Sequence, residues 1–114
     1  MMNKVEKFIK DFKKASPEYL EYTFYRGYCY WFALILAERF KGEIWFNPDI
    51  VHFAAYIKTK HHTWLYDIYG MVRIGFNPIT GEEESGNWMS WEEFQKNNHE
   101  AVEGIVASCI KKEV

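Results

Sequence analysis

Three residues of this chain have side chains that could act together in nucleophilic catalysis: Cys29, His52 and Asp67. A cysteine nucleophile needs a base to accept its proton, and a histidine base needs a third group to fix its tautomer. The sequence predicts that Cys29 begins a helix, where unpaired backbone N–H groups and the helix dipole favour a thiolate. His52 and Asp67 fall on consecutive predicted strands. We therefore predict a catalytic triad formed by these three residues.

The length of the turn between those strands decides whether His52 and Asp67 can meet. The predicted strands are 51–58 and 63–69. A two-residue turn would place His52 directly opposite Asp67, and a four-residue turn would place Asp67 opposite Ala54, diagonal to His52 on the same face. A three-residue turn would put the pair on opposite faces unless a bulge corrected the register. Two of these registers bring the pair together, with His52 turned toward the start of the Cys29 helix.

Each residue of the triad also has an ordinary structural interpretation. A cysteine at helical spacing among aromatic residues is usually part of the core. A histidine in a strand often bonds a backbone carbonyl, and an aspartate near a strand end often caps a turn. The three side chains could also bind zinc, although no short-spaced ligand pair such as Cys-x-x-Cys accompanies them. Taken jointly, the helix start and the His–Asp pair favour the triad, and we predict no metal or cofactor.

The predicted helix that carries Cys29 is the element around which the chain is organised. Nine residues from Cys29 to Ala37 pass without a charge, and apolar residues occupy both sides of the helix, including Trp31 and Ile35. We expect this helix to be covered nearly all round. Lys41 and Gly42 are typical of a helix C-terminus.

Helices are predicted on both sides of this central element. Asn3 and Glu6 indicate a capped N-terminal helix, and Ser16-Pro17-Glu18 indicates the start of a short helix through Tyr22. The buried stripe of the first helix is predicted to be Val5, Phe8, Ile9 and Phe12. A capping box at 90–93 begins another short helix through about Gln95, and a last helix runs over about 99–112. Its apolar stripe consists of Val102, Ile105, Val106, Cys109 and Ile110.

Between these helices apolar and polar residues alternate along the sequence, as is typical of strands. Strands are predicted at 43–46 and 71–74 in addition to the pair described above, and 75–86 is predicted to be a mobile acidic loop. His61 and His62 lie at an exposed hairpin tip. Trp88 and Trp91 are expected to pack in the core or at the edge of a cleft. The predicted fold class is α+β: a small antiparallel sheet packed on a central Cys-bearing helix, with flanking N- and C-terminal helices, in a single domain spanning 1–114.

The composition limits the partners of the protein. The 114 residues carry a net charge of −2, so a nucleic-acid interface is not indicated. The uncharged run in the central helix is too short to cross a bilayer. Only two cysteines are present and the N-terminus has no apolar signal sequence, which indicates a cytoplasmic protein. We expect a protein or peptide substrate, with the oligomeric state left open.

Three short motifs surround the predicted triad: Gly27-x-Cys29-x-x-Phe32-Ala33, His52-Phe53-Ala54, and Trp64-Leu65-Tyr66-Asp67 followed by Gly70. They resemble the papain-like cysteine hydrolase superfamily, and most closely its transglutaminase-like branch. The chain also looks like small uncharacterised papain-like proteins encoded by phages. The resemblance covers a third to a half of the chain and implies a minimal domain of this kind, with thiol-dependent hydrolysis or acyl transfer on an amide.

One departure from the papain-like pattern concerns the oxyanion hole. Papain-like peptidases place a glutamine a few residues before the cysteine, and this chain has none there. By elimination, the Cys29 backbone N–H and a hydroxyl of Tyr22 or Tyr25 are the candidate donors. The alternative to an enzyme is a catalytically idle papain-like domain that binds or inhibits a partner protein. An open site with Cys29 and His52 in hydrogen-bond reach would favour the enzyme.

Overall fold

The computed structural model describes residues 2–15 and 20–111, and these form a compact α+β fold. The helices of the described residues are α1 (Lys4–Lys14), α2 (Leu20–Arg26), α3 (Cys29–Phe40), α4 (Trp91–Asn97) and α5 (His99–Ile105), which continues into a π-helical segment (Val106–Ile110). The strands are β1 (Glu43–Asn47), β2 (His52–Lys58), β3 (Thr63–Asp67), β4 (Gly70–Met71) and β5 (Met89–Ser90). No helix in the described part of the chain is long and apolar enough to cross a membrane.

The five strands form one antiparallel sheet in the order β4-β3-β2-β1-β5. Lys58 pairs with Thr63 and Ala55 pairs with Tyr66, so the turn between β2 and β3 has the four-residue register. Extending this register by one residue places Asp67 opposite Ala54. His52 and Asp67 therefore share one face of the sheet.

Helix α3 packs against β2 and separates two parts of the hydrophobic core. The first cluster lies among α1, α2, α3 and the sheet, and its largest buried members are Ile9, Phe32, Leu36, Ile57 and Tyr66. The second lies at the start of α3, and its members are Cys29, Ala33, Phe46, Phe53, Trp91 and Phe94. Seven aromatic rings of the described residues are buried in these two clusters, and Cys29 belongs to the second.

The first two helices follow the predicted pattern with one correction. The Asn3–Glu6 capping box is present, and Val5 and Ile9 are buried. Helix α2 continues to Arg26 instead of turning after Tyr22, because no helix-breaking residue occurs before Gly27. Its predicted start at 16–18 lies outside the described residues.

The predicted burial of α3 on all sides is wrong. Trp31 is 41% exposed and Ile35 is 37% exposed. These residues are four positions apart and lie on one side of the helix, whereas Cys29, Phe32, Ala33, Leu36 and Ala37 are buried on the other. The sheet supplies one covering layer for α3, so its opposite side remains in contact with solvent.

The predicted C-terminal helix is also corrected. Helix α5 ends at Ile105, and the Lys111 N–H donates to the Val106 carbonyl at 2.8 Å, which is an i to i+5 bond of a π-helix. The apolar stripe of this segment packs on the second core cluster but is only partly buried. Cys109 is therefore half-buried instead of being a fully buried core residue.

Gly42 allows the end of α3 to approach the sheet closely. Lys41, not Gly42, adopts the left-handed conformation that ends the helix, with φ 56° and ψ 44°. A Cβ atom at Gly42 would lie 2.7 Å from the Tyr56 carbonyl oxygen and 2.8 Å from Ile57 Cγ1. Both distances are shorter than a van der Waals contact. The absence of a side chain at Gly42 therefore sets the distance between α3 and β2.

Replacing Gly42 by Ala is expected to lower the free energy of unfolding by about 1–3 kcal/mol, because the backbone must shift to admit the methyl group. Gly104→Ala is the matched control, since its Cβ would meet no atom within 4 Å. That change, inside helix α5, should stabilise by about 0.5–1 kcal/mol. Urea denaturation of both variants measures the difference. Equal stability of Gly42→Ala and the unmodified protein would show that the contact is not tight.

Candidate active site

Cys29 lies at the N-terminus of α3, as the first residue of the helix. The first bond within the helix runs from the Phe32 N–H to the Tyr28 carbonyl at 3.2 Å, so the earlier N–H groups have no acceptor inside the helix. The backbone N–H groups of Phe53 and Tyr30 donate hydrogen bonds to the Cys29 sulfur. The backbone around this sulfur thus favours the charged form of the thiol.

His52 and Asp67 are paired across β2 and β3. His52 Nε2 lies 3.0 Å from Asp67 Oδ2, and the two side chains are 4% and 8% exposed. The other oxygen, Asp67 Oδ1, accepts a hydrogen bond from the Tyr69 N–H at 2.8 Å. Both carboxylate oxygens are therefore engaged, and the orientation of the carboxylate toward His52 is fixed.

The His52 ring connects Cys29 to Asp67. It forms side-chain hydrogen bonds with both residues. Because Nε2 is paired with Asp67, Nδ1 is the ring nitrogen that is left for the thiol. The structure thus brings Cys29, His52 and Asp67 together, with His52 between the other two side chains.

The pKa values of Cys29 and His52 are shifted in opposite directions. Burial raises the pKa of the Cys29 thiol, but interactions with His52 and with the N–H groups of Phe53 and Tyr30 lower it by more, so the pKa lies below its ordinary value. Burial lowers the pKa of His52, whereas hydrogen bonds to Asp67 and Cys29 and their negative charge raise it to about 9. These shifts favour a thiolate–imidazolium pair.

Two aromatic side chains enclose the His52 ring. The centroid of the Tyr25 ring is 4.2 Å from that of His52, and the Trp88 ring approaches edge-on at 5.8 Å. Tyr25 is 6% exposed, so it shields one side of the imidazole from water. Of the two tyrosines predicted as oxyanion donors, Tyr25 is therefore at the site. Tyr22 is 61% exposed and lines neither cavity described below.

Two cavities of about 260 and 230 Å³ open onto His52. The larger extends from Asp67 and Trp88 to Arg73 and Phe76, and the smaller is lined by Tyr25, Ile50, Val51, His52 and Glu84. Cys29 is 4% exposed and lines neither cavity. An enzyme was expected to have Cys29 and His52 within hydrogen-bond reach in an open site. The two side chains do interact, but the thiol is not on an open surface.

Much of the wall of the larger cavity comes from residues between β4 and β5. The Glu84 N–H donates to the Gly75 carbonyl at 2.8 Å, Phe76 pairs with Glu83, and the Asn47 side chain donates to the Ser85 carbonyl at 2.9 Å. These bonds fold the predicted acidic loop back against the sheet. Trp88 lines the cavity, in agreement with its predicted position in the core or at the edge of a cleft. The position of Glu84 in the wall was not predicted, because no periodicity in this segment indicates which residues face inward.

Val51 is a further residue of the site that sequence reasoning did not identify. It precedes β2 with φ 48°, a left-handed conformation that is unusual for a β-branched residue. It ends the turn from β1 and directly precedes His52. The Asn47-Pro48-Asp49 sequence predicted this turn, but no sequence signal predicts a left-handed valine.

The remaining predicted candidates fall outside the site. His61 and His62 are exposed at the tip between β2 and β3, as predicted, and Trp91 is buried in the second core cluster. Within residues 2–15 and 20–111, no group of three or more His, Cys, Asp or Glu side chains has an arrangement that could hold a metal ion. The zinc interpretation of Cys29, His52 and Asp67 therefore has no support from their geometry.

The chain matches no protein-family model, and no curated protein or solved structure matches it significantly. A function for this site must therefore be argued from its own residues.

Proposed function

We propose that this chain is a small papain-like cysteine hydrolase or acyl transferase that acts on an amide or ester through Cys29, His52 and Asp67. The observation that carries this proposal is one continuous set of contacts. A thiol at a helix N-terminus interacts with a histidine, and that histidine is bonded at 3.0 Å to a buried carboxylate. The lowered pKa of the thiol and the raised pKa of His52 have the directions that nucleophilic catalysis requires.

In the proposed reaction the Cys29 thiolate attacks the carbonyl carbon of the substrate. The leaving amine or alkoxide takes the proton of the His52 imidazolium as its bond to that carbon breaks. This leaves an acyl group on Cys29 as a thioester. Neutral His52 then accepts a proton from the attacking water or amine, which releases the acid or transfers the acyl group and regenerates the thiolate. Asp67 holds the imidazole and balances its charge throughout.

The tetrahedral intermediate needs hydrogen-bond donors for its oxyanion. The Cys29 backbone N–H at the start of α3 supplies one, because this N–H lacks an acceptor within the helix. The Tyr25 hydroxyl is the proposed second donor, since Tyr25 contacts His52 and lines both cavities. The resemblance to transglutaminase-like proteins is compatible with either water or an amine as the acceptor.

A test of this function uses p-nitrophenyl acetate as a small acyl donor. We expect a rapid release of about one equivalent of nitrophenolate per chain, with one acetyl group on Cys29 identified by mass spectrometry. Cys29→Ser should lose the burst, while Cys109→Ser should keep it. Acetylation confined to lysines or Cys109, or a burst that survives in Cys29→Ser, would remove the proposed function.

The oxyanion role of Tyr25 can be separated from its packing role. Tyr25→Phe keeps the ring that packs against His52 and removes the hydroxyl, so the acylation rate should fall by about 10²- to 10³-fold. Tyr22→Phe is the matched control and should acylate normally, because Tyr22 is exposed outside both cavities. An unchanged acylation rate in Tyr25→Phe would assign the second donor elsewhere.

The second candidate function is a catalytically idle domain that binds a partner protein. One observation favours it: Cys29 is 4% exposed and lines neither cavity, so a bulky substrate must displace part of its surroundings to reach the sulfur. An idle domain would show no acyl group on Cys29 with any activated ester. The acylation test therefore distinguishes the two candidates.

A further inference from the structure

Glu84 borders both cavities at His52. The two cavities share three wall residues, Tyr25, His52 and Glu84. Among the described residues Glu84 is the carboxylate common to both, because Asp67 lines the larger cavity only. Glu84 therefore borders both routes to His52.

The Glu84 carboxylate is held in place by the fold of its own loop. Asn77 Nδ2 donates a hydrogen bond to Glu84 Oε1 at 3.0 Å. Asn77 is itself fixed, since its Oδ1 accepts from the N–H groups of Ile79 and Thr80 at 2.8 and 3.2 Å. One hydrogen bond uses only part of the acceptor capacity of a carboxylate. Glu84 is thus an oriented acceptor at the cavity wall.

The charges around the smaller cavity are unbalanced. Among the described residues, its wall holds Glu84 and no lysine or arginine, and His52 is the one possible cation. The positive charge of a protonated His52 is already opposed by Asp67 and the Cys29 thiolate, so the negative charge of Glu84 has no counterpart there. In the larger cavity Arg73 is present, with its guanidinium carbon 4.8 Å from the centre of the Phe76 ring. The uncompensated negative charge of Glu84 therefore favours the binding of a cation in the smaller cavity.

We infer that the substrate carries a positively charged group, of the lysine or arginine side-chain type, that binds in the smaller cavity against Glu84 next to the carbonyl attacked by Cys29. This inference rests on the proposed function and names the substrate class for it. A volume of about 230 Å³ accommodates the end of such a side chain. The apolar walls formed by Ile50 and Val51 can pack against its methylene groups.

Glu84 acts in this proposal as a residue that determines specificity and not as part of the triad. His52 forms its side-chain hydrogen bonds with Asp67 and Cys29, whereas the Glu84 carboxylate bonds Asn77. Replacing Glu84 by Gln keeps the size of the side chain and an oxygen that can accept from Asn77. The change should therefore remove the charge with little change in shape, and the rate with a neutral reagent measures any accompanying change in the reactivity of Cys29.

The first test compares three methanethiosulfonate reagents that differ in charge: methyl (neutral), 2-aminoethyl (cationic) and 2-sulfonatoethyl (anionic). In each case the Cys29 thiolate attacks the sulfenyl sulfur, a mixed disulfide forms and methanesulfinate leaves. Mass spectrometry of the Cys29 peptide gives the three rates. In Glu84→Gln the cationic-to-neutral rate ratio should fall by about 3- to 10-fold, as expected for losing one nearby charge in a half-buried site. Glu84→Lys should reverse the preference, so that the anionic reagent reacts faster than the cationic one.

Two internal controls accompany this comparison. Glu83→Gln removes a charge from the same loop at a residue that lines neither cavity, so it should leave the ratio unchanged. The rates at Cys109 should show no dependence on Glu84 in any variant. Each rate is divided by the neutral-reagent rate of the same variant, so a general change in the reactivity of Cys29 cancels from the comparison.

The second test compares the p-nitrophenyl esters of N-acetyl-lysine and N-acetyl-norleucine, which differ in the terminal ammonium. The lysine ester should have the higher kcat/KM, by about 10-fold, and Glu84→Gln should abolish the difference. Equal reactivity of the two esters in the unmodified protein, or a preference that survives in Glu84→Gln, would overturn the inference while leaving the acyl chemistry of Cys29 intact. Failure of Cys29 to react even with the neutral reagent would instead overturn the proposed function and this inference with it.

Discussion

Replacement of Asp67 by Asn is expected to keep the protein folded and to lower the rate of Cys29 acylation by about 10³- to 10⁴-fold. The Tyr69 N–H donates to Asp67 Oδ1 at 2.8 Å. In the variant this N–H will retain the amide oxygen, so the NH₂ group will face His52 Nε2. Nε2 then becomes an acceptor, and the proton moves to Nδ1. The nitrogen that must receive the proton of the thiol is therefore blocked.

Stability distinguishes this role of Asp67 from that of a turn cap. Asn can still accept from the Tyr69 N–H, so a purely structural role predicts normal acylation and a loss of about 1 kcal/mol or less. Asp67→Ala loses both the hydrogen bond from the Tyr69 N–H and the contact with His52. It therefore shows how stability and acylation change when both interactions are removed. Thermal unfolding and the nitrophenolate burst should be measured on the same preparations. Normal acylation with a lowered melting temperature in Asp67→Asn would identify Asp67 as a cap.

Replacement of His52 by Ala should shift the alkylation profile of Cys29 to higher pH. In the unmodified protein the lowered thiol pKa keeps the thiolate populated as pH falls, until pH passes below that pKa. Without His52, the burial that raises the pKa is no longer outweighed. A thiol with a pKa of about 8.5 or above is only a few per cent thiolate at pH 7. The rate with iodoacetamide at neutral pH should therefore drop by at least about 10-fold, even though a more basic thiolate is a better nucleophile.

The control for this experiment is the rate at strongly alkaline pH. There the thiolate forms in both proteins, so the rate of the variant should reach or exceed that of the unmodified protein if His52 acts through the pKa. His52→Ala also opens space beside Cys29, which by itself would speed alkylation at every pH. A faster reaction in His52→Ala across the whole pH range would show that His52 restricts access and does not activate the thiol.

The proximity of Cys29, His52 and Asp67 could be predicted from sequence because the three residues lie on regular elements. Alternation over 51–58 and 63–69 fixes which residues share a face, and a short polar tip leaves few registers. The observed four-residue register is one of those that bring His52 and Asp67 together. The uncharged run that begins at Cys29 likewise marks the start of α3. Short-range patterns therefore determined the positions of these three residues.

The walls of the site could not be predicted, because they depend on long-range packing. Trp88 packs against His52 and Asn47 anchors the loop at Ser85, but the segment 75–88, which contains Ser85 and Trp88, has no helical or alternating period. Trp31 and Ile35 are exposed because the sheet covers only the other side of α3, and the apolar pattern of the helix does not indicate this. The two-residue strand β5 is likewise too short to give a period, so its pairing with β1 is set by tertiary contacts.

The most direct test of the Cys29–His52–Asp67 site is the rate of iodoacetamide alkylation at Cys29 and Cys109 in the unmodified protein, followed by peptide mass spectrometry from acidic to alkaline pH. On access alone Cys109 should react first, because it is half-buried whereas Cys29 is 4% exposed. The site predicts the reverse: Cys29 reacts much faster than Cys109, with a rate already near its plateau at neutral pH. A Cys29 that stays inert until strongly alkaline pH, or that reacts more slowly than Cys109 throughout, would contradict the assignment of Cys29 as the nucleophile.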